Sequence, residues 1–399
     1  MLAIVAPGQG AQTPGFLTPW LEIETFANRL NWLSAVAGID LAYYGTEADA
    51  EQIRDTAITQ PLLVASAMLA ALELFVSPSE AYGKVGVIAG HSVGEIAAAA
   101  GAGVLSAEAA MVLVRERGRL MAEASAAQPT SMTAVIGGEE SEVLAAIEAA
   151  GLTAANNNGR GQIVAGGTVE QLAALAQNPP RRARLIPLSV AGAFHTVHME
   201  PAVAQLRQLA TAVSTRSPRM MLLSNADGAV VGRGRDYLER LVSQVASPVR
   251  WDLCMQTMAD LGVSGLLELP PAGTLTGIAK RNLKGVELFS LNTPDQLEDA
   301  RAFVCAHAEA GATDLAATPS WRMLVAPGKG QFHAEAVNPG SALVPGTRVG
   351  AVHNLREAMP VIAPHGGEVI EWLVEDGDLV NPGQPIVRLH PSPEFSLED

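Results

Sequence analysis

The sequence predicts an α/β protein. It has a larger α/β domain with a parallel sheet, a smaller inserted unit and an all-β C-terminal sandwich. Three observations carry this. The apolar run Val85 to Ala89 ends in Gly90-His91-Ser92-Val93-Gly94, and an Ala-rich helical stretch follows. Strand, tight turn and helix form the unit of an α/β fold. Residues 131 to 190 alternate strand and helix patterns with short spacings. The last eighty or so residues repeat themselves at a constant offset of 37, which implies a pseudo-twofold β sandwich.

Each element follows from its pattern. Residues 61 to 76 and 107 to 125 have helical periodicity. The inserted unit reads strand (132 to 136), helix (140 to 150), strand (152 to 157), strand (162 to 165), helix (169 to 177), strand (184 to 190). This β-α-β-β-α-β order is the split βαβ, or ferredoxin-like, arrangement. A strand at Leu266 to Leu269 returns the chain to the larger domain. The expected division is 1–127 with 193–310 for the α/β domain, 128–192 for the insert, 311–321 for an Ala/Thr-rich linker and 322–391 for the tail. In the tail Ala326-Pro327 recurs as Ala363-Pro364, Gly330 as Gly367, and Pro345-Gly346 as Pro382-Gly383.

Composition narrows the function. With 48% hydrophobic and 17% charged residues among 399, the chain is globular. A net charge of −15 argues against nucleic acid as a partner. The N-terminus lacks a signal-peptide pattern, and the longest apolar stretch, Pro61 to Val76, carries Glu73 and reads as a buried helix, not a membrane span. Cys254 and Cys305 lie in no metal-ligand pattern. They are expected to be free, buried thiols of a cytoplasmic protein. No metal site is expected.

Gly90 to Gly94 is a GxSxG turn between a strand and a helix, the context in which a serine becomes an exposed nucleophile. At a helix N-terminus, backbone N–H groups and the dipole can hold an oxyanion. A hydrolase-like α/β fold with this motif would need a late acid and histidine. The best histidine here is instead His195, in the apolar loop Ala-Gly-Ala-Phe-His, with His198 as its rival. His91 reads as structural.

Arg117 carries the substrate argument. Its neighbours three and four positions away are Leu113, Val114, Leu120 and Met121, all apolar, so it projects from the buried face of its helix. A buried guanidinium needs an anion. The choices are an internal Asp or Glu, or the carboxylate of an acidic acyl substrate held bidentately.

Eight spaced motifs then resemble the malonyl-CoA:acyl-carrier-protein transacylases of type II fatty acid synthesis. They are Pro7 to Gln12 (PGQGAQ), Thr59-Gln60-Pro61, Gly90 to Glu95 (GHSVGE), Arg117 to Met121, Asn156 to Gly166, Ala193-Phe194-His195, Pro248 to Trp251 and Thr274 to Gly277. The resemblance covers roughly residues 1 to 310. It implies that Ser92 is acylated, that His195 is its base, and that the backbone N–H groups of Gln9 and Val93 form the oxyanion hole. It implies a backbone carbonyl, that of Arg250, as the histidine's orienting group, with no carboxylate. Arg117 would bind the malonyl carboxylate, with Gln60, Asn156, Asn158, Phe194 and Arg250 in supporting or substrate-binding positions. The implied substrates are malonyl-CoA and phosphopantetheinylated acyl carrier protein, with no other cofactor. An acyl transferase of polyketide synthesis using another acyl-CoA, or a thioester or ester hydrolase, is the alternative. Basic residues available to an acidic carrier include Arg181, Arg182, Arg184, Lys280 and Arg281.

The tail resembles biotinyl/lipoyl carrier domains, whose modified lysine sits on the hairpin between two like halves. That hairpin falls at His353 to Met359, with Arg356 or Leu355 at the lysine position. The tail's one lysine, Lys329, is off the tip. No biotin or lipoate is expected; the tail is expected to be a module for docking a protein partner or for packing, and the alternative is that it only stabilises the chain.

Overall fold

The computed structural model describes residues 1–308 and 322–390. Two compact units divide the chain, Met1–Thr313 and Asp314–Asp399. The expected linker 311–321 lies outside the described residues.

The first unit is built on a five-stranded parallel sheet. Its spatial order is Glu287–Ser290, Gly265–Glu268, Leu2–Ala6, Val87–Gly90, Met221–Leu222. Leu2–Ala6 is apolar and buried at every position, as a strand covered on both faces must be. Leu2, Ile4 and Ala6 join one core cluster, while Ala3 and Val5 join another on the opposite face. The larger cluster includes the helices Thr56–Leu74, Gly94–Gly101 and Ala107–Ala127.

The helix read from residue 61 begins earlier, at Thr56. Asp55 caps it, its carboxylate accepting the Ala57 N–H at 2.9 Å. Pro61 lies inside this helix and does not start it. By length and composition Thr56–Leu74 could cross a membrane, but its side chains are mostly buried within the unit. Helix Ala107–Ala127 crosses it closely at Gly118, where an added Cβ would lie 2.8 Å from the Thr56 carbonyl oxygen.

The insert forms the expected element order. Its strands are Thr130–Gly137, Thr153–Asn157, Gln162–Thr168 and Ala183–Pro187, with helices Glu140–Ala149 and Val169–Gln177. Their spatial order is fourth, first, third, second, all antiparallel. The last strand stops at Pro187, short of Val190. A feature absent from the sequence reading is a fifth strand, Val249–Arg250, which pairs parallel to Asn156 and Asn157. It ties the insert's edge to the later chain.

In the second unit eight strands form two four-stranded antiparallel sheets. The 37-residue offset holds strand by strand: Ala342–Leu343 maps onto Leu379–Val380, and Gly330–Ala334 falls within the image of Gly367–Trp372. Each sheet is the image of the other under this exchange. The hairpin joining Thr347–His353 to Ala358–Ala363 turns at residues 354–357, where the Asn354 side chain accepts the N–H groups of Arg356 and Glu357 at 2.8 and 2.9 Å. Leu355 at its tip is fully exposed.

Candidate active site

Ser92 stands between strand Val87–Gly90 and helix Gly94–Gly101. The strain of the turn falls on the serine itself, at φ 54°. Gly94 serves a different end: a Cβ there would lie 2.3 Å from the Ala6 carbonyl oxygen, so only glycine lets the helix start against the neighbouring strand.

The structure brings His195 to the serine. Ser92 Oγ and His195 Nε2 are 2.7 Å apart. His198 lies on the short turn Val197–Met199 and forms no hydrogen bond to Ser92 among the described residues. The orienting carbonyl differs from the expected one. His195 Nδ1 lies 2.8 Å from the Gln244 carbonyl oxygen, and the His195 backbone N–H donates to Val245 at 3.2 Å. Helix Gly234–Gln244 ends there, and the last carbonyls of a helix have no intrahelical partner. One of them receives the imidazole. Arg250 turns elsewhere, its guanidinium forked onto Asp252 at 2.9 and 2.7 Å. Among the described residues no carboxylate bonds the imidazole.

Arg117 is only 3% exposed. It donates to Gln60 Oε1 at 2.6 Å and to Ser92 Oγ at 3.2 Å. No carboxylate forms an ion pair with it among the described residues. Glu95 is the carboxyl whose charge acts on it, and burial pushes that carboxyl up to about 8. Burial likewise lowers Arg117 to about 10. Burial first, and the Arg117 charge second, hold His195 down at about 3, as a neutral base.

The other expected residues are placed as follows. The Gln9 side chain bonds the Arg54 carbonyl and Thr56 Oγ1. The backbone N–H groups of Gln9 and Val93 make no hydrogen bond among the described residues. Phe194 packs in the main core. Asn158 Oδ1 is 2.9 Å from His91 Nε2, and His91 lies edge-on to Trp251. Asn156 Oδ1 is buried without a partner among the described residues. Gln60 touches Arg117, but Asn156, Asn158, Phe194 and Arg250 do not bond the dyad. Cys254 is buried as expected, while Cys305 is exposed. On helix Leu297–His307 the buried stripe is Leu297, Ala300, Val304 and His307, and residue 305 falls beside it. Of the basic residues, Arg181 pairs with Glu142 and Arg281 bonds Gln162.

The sequence reading missed Gln244, which acts through its main chain and so leaves no residue-type signal. It also missed Asn225 and Glu95, which bond each other behind the turn.

A serine bonded to a histidine, on a parallel sheet covered on both faces, is a site for acyl chemistry, and residues 4–315 match the acyl transferase domain family. The malonyl CoA-acyl carrier protein transacylase of Mycobacterium bovis is 48% identical over 299 residues, 75% of this chain and 99% of that one. The crystal structure of MCAT from Mycobacterium tuberculosis superposes with a TM-score of 0.73 at 46% identity, covering 75% of this chain and 99% of that chain. A malonyl-transacylase in complex with its type II PKS acyl-carrier protein superposes with a TM-score of 0.70 at 28% identity, again over 75% and 99%. The chain belongs to the malonyl CoA-acyl carrier protein transacylases.

Proposed function

We propose that this chain transfers a malonyl group from malonyl-CoA to the phosphopantetheine thiol of acyl carrier protein, through a malonyl-serine intermediate, in fatty acid biosynthesis. The observation that carries the choice of acyl group is Arg117, a buried cation with no ion-pair partner among the described residues, 3.2 Å from Ser92 Oγ. Its closeness to the nucleophile suits a short acidic acyl group, such as malonyl, whose carboxylate lies near the carbonyl that Ser92 attacks.

The chemistry follows. Ser92 Oγ attacks the thioester carbon as His195 Nε2 takes its proton. The carbonyl oxygen becomes an oxyanion held by the N–H groups of Gln9 and Val93. The C–S bond breaks, and the proton on His195 leaves with the coenzyme A sulfur. The carrier thiol then gives its proton to His195, its sulfur attacks the malonyl-serine, and Ser92 Oγ regains the proton. The Gln244 carbonyl, at the negative end of its helix, steadies the imidazolium in both halves.

The element order and strand order of the insert support a ferredoxin-like subdomain, within the division 1–127 with 193–310, 128–192 and 322–391. The strand-by-strand repeat supports a biotinyl/lipoyl-like tail. With Leu355 and Arg356 at its tip, that domain carries no biotin or lipoate and serves a protein partner. The site uses neither metal nor cofactor, and the protein is cytoplasmic, with no membrane or nucleic-acid partner.

The test incubates the protein with malonyl-CoA or acetyl-CoA and follows intact mass, then adds the carrier in its thiol form. A malonyl adduct on Ser92 that passes to the carrier is expected. Rapid release as free malonate, or no malonyl adduct, would overturn the reading in favour of hydrolysis or another acyl group.

A further inference from the structure

Behind the nucleophile turn lies a side chain that the chemistry above does not use. Asn225 is wholly buried, in the loop after strand Met221–Leu222. Its Oδ1 accepts the Ser92 backbone N–H at 2.7 Å, and its Nδ2 donates to the Gly90 carbonyl oxygen at 2.8 Å. One carboxamide thus spans the turn from the residue before His91 to the residue after it. Its own backbone is pinned twice. The Asn225 N–H donates to Glu95 Oε1 at 2.8 Å, and its carbonyl accepts the Arg250 N–H at 2.8 Å. Glu95 stands in the first turn of the nucleophile helix and also receives the Tyr237 hydroxyl.

We infer that Asn225 is a positioning residue for the reaction: its carboxamide holds Ser92 in its left-handed backbone and fixes the direction of Oγ. The physical need is plain. A serine at φ 54° persists only where its surroundings over-determine it. A bond to the Ser92 N–H from one side and to the Gly90 carbonyl from the other locks the two peptides whose rotation would relax the turn. The same bond takes the Ser92 N–H out of play for the oxyanion, leaving that task to the N–H groups of Gln9 and Val93. A misplacement of about 1 Å in a reacting group costs on the order of 10²-fold in rate. The residue therefore acts on rate and not on substrate affinity. Glu95 completes the device, because its carboxyl anchors the Asn225 main chain to the same helix that follows the serine.

The inference rests on Ser92 being the nucleophile, so the parent chain is measured beside the variants. Asn225→Ala and Asn225→Asp are made in the full-length protein. Malonylation of Ser92 is followed by rapid quench for its rate constant and by intact mass for its final amplitude. For Asn225→Ala the expected result is full amplitude, KM for malonyl-CoA within about threefold of the parent, and a rate constant lower by about 10²-fold. A merely structural role would instead reduce the amplitude, by leaving part of the protein inactive. Asn225→Asp keeps the oxygen that accepts the Ser92 N–H. It sets a second oxygen against the Gly90 carbonyl unless protonated. Its rate relative to the parent rises as pH falls. Glu95, Tyr237 and Cys254 are the titratable groups around it; Glu95 couples to the new carboxyl, so the parent's own pH profile is recorded beside the variant's. An Asn225→Ala protein with parent-like rate, or with lost amplitude at parent-like rate, overturns the inference. Should that variant fail to fold, Asn225→Asp decides, and a ratio independent of pH overturns it. No adduct on the parent chain would overturn the transferase reading as well, which separates the two failures.

Discussion

Ser92 and His195 are joined by a 2.7 Å hydrogen bond, and both have left-handed backbone, φ 54° and φ 61°. The two residues of the proposed proton transfer are thus both in a conformation that side chains disfavour. Each such residue costs on the order of 1–3 kcal/mol, which the surrounding fold must offset.

That strain separates two substitutions of the serine. Ser92→Ala and Ser92→Gly both lose the acyl adduct and all transfer. Glycine accepts φ 54° freely while alanine does not, so Ser92→Gly is the more stable by roughly 1 kcal/mol. Thermal or urea unfolding of the two inactive proteins checks this. Equal stabilities would mean that the turn is relaxed in solution.

On the proposed reading Arg117 places the acyl group, and its charge also acts on His195. Arg117→Ala lowers malonyl transfer by roughly 10- to 150-fold, the worth of a charged hydrogen bond. Acetyl transfer, which has no carboxylate to place, stays within about threefold. Stability does not drop in step, because the substitution also removes a buried charge that lacks an ion partner. Rates with both thioesters, and a melting curve, decide. A parallel loss with both would mean that Arg117 acts on Ser92 alone.

The pH behaviour follows from His195. Its imidazole is held down at about 3, first by burial and then by Arg117, whereas in the unfolded chain it takes a proton near 6.5. Between these values the unfolded state binds more protons. The stability from this group is therefore complete above about pH 6.5 and falls as pH drops toward 3. Activity holds to lower pH than in an ordinary histidine enzyme. The kcat/KM for malonyl-CoA stays flat from about pH 8 to about pH 5, with no loss near 6.5. In Arg117→Ala the acid limb moves to higher pH, since the Arg117 charge, the second of the depressing causes, is gone. A wild-type profile that halves near 6.5 would refute this account.

Gln244 gives the complementary case. Its side-chain Nε2 is buried with no hydrogen-bond partner among the described residues, and its carbonyl lies 2.8 Å from His195 Nδ1. Gln244→Leu therefore keeps transfer within about threefold and does not lower stability, since it removes an unsatisfied polar group. A large loss of kcat would show that the amide does more than its structure suggests.

Ser92 was legible because a GxSxG turn needs a strand before it and a helix after it, and both patterns are strong. Arg117 was legible because four apolar neighbours fixed its face. The choice of Arg250 for the orienting carbonyl failed for a physical reason. A main-chain group belongs to whichever residue ends the helix, and helix ends are the least determined feature of a sequence. The strand Val249–Arg250 is too short to show any period. Asn225 follows an apolar run and reads as an ordinary turn residue, so its bonds to Gly90 and Ser92 appear only once the sheet is assembled. Pro61 suggested the start of a helix that Asp55 had already begun.

The β unit's two outermost described strands, Arg322–Val325 and Pro385–His390, pair antiparallel, with Arg322 opposite Leu389. The polypeptide thus comes into this fold and goes out of it at neighbouring points. A module with such adjacent ends can be spliced after, or into, an unrelated chain without disturbing either core. The Mycobacterium bovis relative is matched over 99% of its own length by 75% of this chain, and the family match ends at residue 315, before the module's first strand. The unit is portable, a cassette that evolution or an engineer could move.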